Sequence, residues 1–157
     1  MNKKTKRLLQ SVGLVIFTLY LVVLFYLLFF SEQYGRTIDG ERILRYNLRP
    51  FAEIHRFLAY REIVGIRVMI VNIFGNIAAF LPFGMFLPFF FGNLRKGWIV
   101  TLSGCCFSLI VELIQLITRV GCFDVDDIIL NTTGALVGYV LFTVADKIRR
   151  SYYGKKI

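Results

Sequence analysis

Histidine is almost absent from this chain of 157 residues, where His55 stands alone. One imidazole makes no zinc site, and a lone histidine is a weak candidate for a general base. Cysteine is scarce as well. Cys105 and Cys106 lie inside an apolar run, where small packing residues belong, and Cys122 stands apart from them, so no intrachain disulfide framework is expected. The sequence also lacks a nucleophile elbow, a phosphate-binding glycine loop, a dinucleotide fingerprint and an EF-hand spacing. These absences remove the usual cofactor and metal chemistries, and no cofactor or metal is called for.

What the chain has in abundance is apolar surface: 57% hydrophobic and 16% aromatic residues, with a mean hydropathy of +0.65. That composition is too apolar for an ordinary soluble domain. Four stretches reach the length of about 20 residues that a bilayer crossing needs: 11–30, 67–91, 98–117 and 128–144. The expected fold is all-α: a polytopic transmembrane helical bundle of four spans, forming one membrane domain over 1–157. The basic start, Asn2-Lys3-Lys4-Thr5-Lys6-Arg7, precedes a long apolar run with no small-residue cleavage site. It therefore reads as a retained signal anchor.

A net charge of +9 raises the question of nucleic acid, but its distribution answers otherwise. With a cytoplasmic N-terminus, segments 1–10, 92–97 and 145–157 hold all seven lysines and four of the arginines. The opposite segments balance eight arginines against eight carboxylates. The positive-inside rule then places both termini in the cytoplasm of a multi-pass cell-membrane protein, with the basic excess facing anionic headgroups. Membrane lipids are the expected partners, and nucleic acid is not.

The long outer segment, 31–66, contains Asn47-Leu48-Arg49-Pro50-Phe51. The residue before a proline avoids the helical region, and Pro50 then suits the first turn of a helix. Residues 51–64 are expected to form a short interfacial helix lying on the outer face or capping the bundle, with a solvated loop as the alternative. The second span carries Pro82 and Pro88, which leave two readings open: a kinked helix, or a broken one around a binding site. In the fourth span, Gly134 and Gly138 form a GxxxG pair that permits close approach of another helix.

The most informative pattern lies in the third span. Ser108, Glu112, Gln115 and Arg119 follow at spacings of four, three and four, on one face of a helix. A carboxylate in a span costs about 2.5–3.5 kcal/mol on insertion scales, so Glu112 needs a partner, a wet cavity or a task. At a rise of about 1.5 Å per residue, Asn72 and Asn76 of the second span and Asn131 of the fourth lie in the same outer half as Glu112. Asp124, Asp126 and Asp127 sit at the outer lip beside Arg119. These ten residues are the candidate ligand-binding set, lining a polar pocket open to the outside. Plainer readings stand beside it. Asn72 and Asn131 also suit interhelical hydrogen bonds, Arg119 suits a structural ion pair, and Asp126 or Asp127 suits the N-cap of the fourth span. The four carboxylates are hard-oxygen ligands too, but no metal-site spacing accompanies them.

In order and spacing, several segments resemble the VanZ-like family of bacterial membrane proteins. They are Asn47–Phe51, Asn72-Ile73-Phe74-Gly75-Asn76, Leu81-Pro82-Phe83-Gly84, Ser108 to Gln115, Phe123-Asp124-Val125-Asp126-Asp127-Ile128 and Asn131-Thr132-Thr133-Gly134-Ala135. Together they cover about 47–140. The resemblance implies a Gram-positive cell-envelope membrane protein linked to glycopeptide (teicoplanin) resistance, and it assigns no catalytic residue. Three functions are therefore open. The outer pocket binds an envelope lipid, a lipid-linked envelope precursor or a lipoglycopeptide. Alternatively, the protein is an intramembrane hydrolase or transferase with Glu112 or Asp127 as catalytic base, or a small transporter or assembly partner. Its oligomeric state is not legible in the sequence.

Overall fold

The computed structural model describes residues 3–30 and 46–154. Positions 31–45 of the expected outer segment and the last three residues, including Lys155 and Lys156, lie outside them. In chain order the elements are α1 (Lys3–Phe30), β1 (Tyr46–Asn47), α2 (Ala52–Ala59), α3 (Arg61–Val64), α4 (Ile66–Phe90), α5 (Gly97–Thr118), β2 (Phe123–Asp124) and α6 (Val125–Tyr153). A 3-10 turn, Gly92–Leu94, joins α4 to α5.

Four helices are long and apolar enough to cross a membrane, and they fall on the four expected stretches. The fourth helix departs most from expectation. It begins at Val125 rather than at 128 and continues to Tyr153, well past 144. Its polar continuation, Ala145 to Arg150, contains the good helix formers Ala145, Lys147, Arg149 and Arg150, which an apolarity criterion passes over. The interfacial helix expected over 51–64 is present as two pieces, α2 and α3, which meet at Tyr60. Pro50 precedes the first turn instead of joining it, because Phe51 adopts a left-handed conformation with φ of 64°.

The bundle is built around contact between α4 and α6. Since the chain reverses at each turn, these two helices run parallel. Glycine lets their backbones nearly touch. A Cβ on Gly134 would lie 2.2 Å from the Ile77 carbonyl oxygen, and one on Gly138 would lie 2.0 Å from that of Leu81. Gly84 of α4 abuts Ala135 in the same way, while Gly104 brings α5 against the Ala135 methyl group. Ala135, fully buried, is thus the point where three helices meet. The rings of Phe80, Phe83 and Phe107 pack on one another between α4 and α5.

Helix α4 is unbroken through both prolines. Proline weakens the helical ladder one turn before it, and there the Tyr20 hydroxyl of α1 donates to the Ala79 carbonyl at 2.7 Å. This bond, the packing of Phe17 against Phe86 and Phe90, and a Gln115 amide donating to the Leu28 carbonyl at 2.9 Å attach α1 to the bundle. Large apolar side chains on all four helices face outward, as a lipid-exposed surface requires.

The glycine contacts generate a test. Gly134→Ala forces backbone apart, and overpacking of this kind costs about 1–3 kcal/mol. Gly92→Ala meets nothing within 4 Å. Thermal unfolding in detergent, followed by circular dichroism, is expected to show a lower midpoint for Gly134→Ala and an unchanged one for Gly92→Ala. Equal midpoints would refute the close α4–α6 approach.

Candidate functional site

At the end of the bundle that carries the aspartates, the segment before α2 turns back onto the start of α6. Asn47 shapes this turn. Its Oδ1 accepts the Arg49 amide at 3.1 Å, and its Nδ2 donates to Asp124 Oδ1 at 3.1 Å. The short strands extend the same contact, pairing in parallel with Tyr46 opposite Phe123 and Asn47 opposite Asp124. Phe51 then takes its left-handed conformation, uncommon for a residue with a side chain. Helix α2 is left without a side-chain cap from its own flank.

The missing cap arrives from 72–75 residues further along the chain. The Asp126 carboxylate, 1% exposed, accepts the backbone amides of Phe51, Glu53 (2.8 Å) and Ile54 (3.1 Å). A buried carboxylate requires donors, and a helix N-terminus has amide groups with no partner of their own. Each satisfies the other. The N-cap of α6 is Asp124, whose side chain accepts the Asp126 amide at 2.8 Å, rather than Asp126 or Asp127. Glu112, 2% exposed, accepts the Asp124 amide at 2.8 Å, so a carboxylate on α5 holds the start of α6 in place.

Below this tier lie two further polar contacts. The Asn76 amide donates to Asp127 at 2.5 Å, linking α4 to α6. One turn deeper, the Asn131 amide donates to the Ser108 hydroxyl at 2.9 Å, linking α6 to α5. Asn131 Oδ1 and Thr132 Oγ1 are buried without a hydrogen-bond partner. Of the ten candidates, seven make these contacts, in successive tiers of one region: Asn76, Ser108, Glu112, Asp124, Asp126, Asp127 and Asn131. The other three are elsewhere. Asn72 donates to the Val68 carbonyl of its own helix, and Gln115 turns toward α1. Arg119 is exposed beyond the end of α5, in a left-handed C-cap conformation. The ten-residue face anticipated from spacing thus divides between the region, the α1 contact and the rim.

The candidate set omitted Asn47 and the amides of residues 51–54. The asparagine two residues before Arg49-Pro50 is a legible turn signal. The amides carry none, since any residue has them.

The region is crowded with acidic groups. Asp127 and Asp124 are near enough to Glu112 to repel it, and Asp126 and Glu53 act likewise on Asp124. At Asp124, burial first and these neighbours second push the carboxyl up to about 6, against the donors Asp126 N–H and Asn47. Among the described residues, no group of three or more His, Cys, Asp and Glu side chains is placed to hold a metal ion.

A raised carboxyl contributes stability that is fully present below the unfolded value, near pH 4, and is lost as pH rises through about 6. Asp124→Asn keeps an oxygen acceptor for both donors and removes the charge. Unfolding at pH 4 and pH 7.5 is therefore expected to show the variant gaining on the native protein at the higher pH, by at most about 3 kcal/mol. A difference independent of pH would contradict this account of Asp124.

Comparison with known proteins places these residues in context. A family model described as VanZ/LLP1 matches residues 17–146, nearly the whole described bundle. The protein named Protein VanZ from Enterococcus faecium is 32% identical over 133 residues, covering 82% of this chain and 72% of its own length. No solved structure matches the chain.

Proposed function

The chain belongs to the VanZ/LLP1 family of multi-pass membrane proteins, and from that premise we propose that it lowers the sensitivity of a Gram-positive cell to teicoplanin. It does so by binding a lipid-anchored envelope molecule, or the lipoglycopeptide itself, at the outer leaflet. In this reading both termini are cytoplasmic, which the distribution of the lysines supports under the positive-inside rule. The acidic end then faces outward, and the acidic region recognises a cationic group on the ligand. Asn76, Ser108 and Asn131 add amide and hydroxyl contacts, and the segment 46–59 roofs the site.

One observation supports this most strongly. Glu112 and Asp127 sit as neighbours beneath the roof, held by neutral donors, the Asp124 amide and the Asn76 side chain. Carboxyl groups so placed in an apolar setting ionise most readily with a cation beside them, which a cationic ligand would supply. The same proximity supports a second reading, an intramembrane hydrolase or transferase in which one of the two acts as general base toward a lipid-linked substrate.

The test uses Glu112→Gln and Asp127→Asn, which retain an acceptor oxygen and cannot ionise. Loss of a charged contact weakens binding by about tenfold or more. Each variant is therefore expected to abolish most of the protection against teicoplanin that the native protein gives a sensitive host at equal protein level. Unchanged sensitivity would overturn the proposal. Turnover of a labelled lipid-linked precursor by the purified protein, lost in Asp127→Asn, would establish the enzymatic reading in its place.

A further inference from the structure

At the other end of the bundle the helices leave a second kind of space, an apolar groove open on one side. A cavity of about 180 Å³ lies between α1, α4 and α6, lined by Gly13, Met85, Phe86, Phe89 and Phe142. All its walls are apolar. With no polar group on its walls to hold water, a groove of this kind suits a hydrocarbon chain. Its walls are braced: Phe86 stacks on Phe90, and Phe17 of α1 packs against both rings. Gly13 keeps α1 close, since a Cβ there would touch the rings of Phe89 and Phe90 at 3.2 Å.

Basic residues follow the cavity toward the same end on every element that lines it. On α1, Arg7 lies six residues from Gly13, about 9 Å along the axis. On α6, Lys147 lies five residues beyond Phe142, about 7.5 Å. After α4 come Arg95 and Lys96. The Arg95 guanidinium sits 5.8 Å over the ring of Phe142, itself a cavity wall, and its Nε donates to the Pro88 carbonyl at 3.2 Å. Arg7, Lys96 and Lys147 are exposed. The nearby acid, Asp146, is already engaged by Arg149 and Arg150.

We propose that this cavity seats an acyl chain of an anionic phospholipid whose phosphate meets Arg7 and Lys96 at the rim. The occupant follows from complementarity. Exposed cations on α1 and α6 stand about 7–9 Å along the helices from the groove, the order of the separation between an upper acyl chain and its headgroup. Basic side chains at a membrane surface favour anionic lipid by about fivefold each. The site is distinct from the acidic region and does not depend on its function.

Native mass spectrometry tests this with the full-length protein extracted from vesicles of equimolar phosphatidylglycerol and phosphatidylcholine. The native protein is expected to retain phosphatidylglycerol in at least about fivefold excess. The Arg7→Gln/Lys96→Gln double variant is expected to lose that excess, and Met85→Trp, which fills the cavity, to lose both lipids. The double variant changes exposed side chains only, so it keeps the test decisive if Met85→Trp fails to fold. Equal retention of the two lipids, an excess unaffected by the double variant, or a lipid-free dimer with a second copy covering the groove would each overturn the proposal.

Discussion

A carboxylate buried at the end of an apolar bundle has to be satisfied, and the donors that satisfy Asp126 are the first amides of another helix. That reciprocal need organises the acidic end. Without Asp126, α2 would begin with unpaired amides. Without α2, Asp126 would be a charge stripped of water. Removing a cap costs about 0.5–2 kcal/mol in ordinary helices, and stranding a buried charge costs more. The segment 46–59 is therefore fixed to the bundle by backbone chemistry, which explains how a short helix with no buried side chain of its own holds its place.

From this constraint the rest of the region follows in order. Asp124 caps α6 and, through Asn47, orients the turn that presents the α2 amides. Glu112 fixes the Asp124 backbone from α5, and Asn76 fixes Asp127 from α4. Three spans and the roof are joined by one connected set of polar contacts. The glycine seam between α4 and α6 sets the distance at which those contacts close. Packing and polar chemistry are thus coupled: the helices approach closely because Gly134 and Gly138 have no side chain, and only at that approach does Asn76 reach Asp127.

The four spans were legible because apolar runs of bilayer length admit few other folds. Glu112 stood out for the same physical reason, since charge in such a run needs a partner. Other features were hidden by the limits of local information. Three acids within four residues compete equally for the N-cap, and only the coordinates distinguish Asp124 from its neighbours. The partner of Asp126 is a backbone more than 70 residues away, and no spacing rule reports it. Gln115 shares the helical face of Glu112 by angle, yet it lies nearer the rim, where α1 is the adjacent helix. Asn72 finds an acceptor one turn back on its own helix, an outcome that composition alone does not separate from a role in a shared site.

A roof tied down by one carboxylate shelters the acidic region. Hydrogen–deuterium exchange of the amides of Phe51, Glu53 and Ile54 reads that tie directly. In Asp126→Ala these amides are expected to exchange about tenfold faster or more than in the native protein, while those of α5 are unchanged. Exchange at the native rate after loss of the carboxylate would contradict the claim that Asp126 holds the roof.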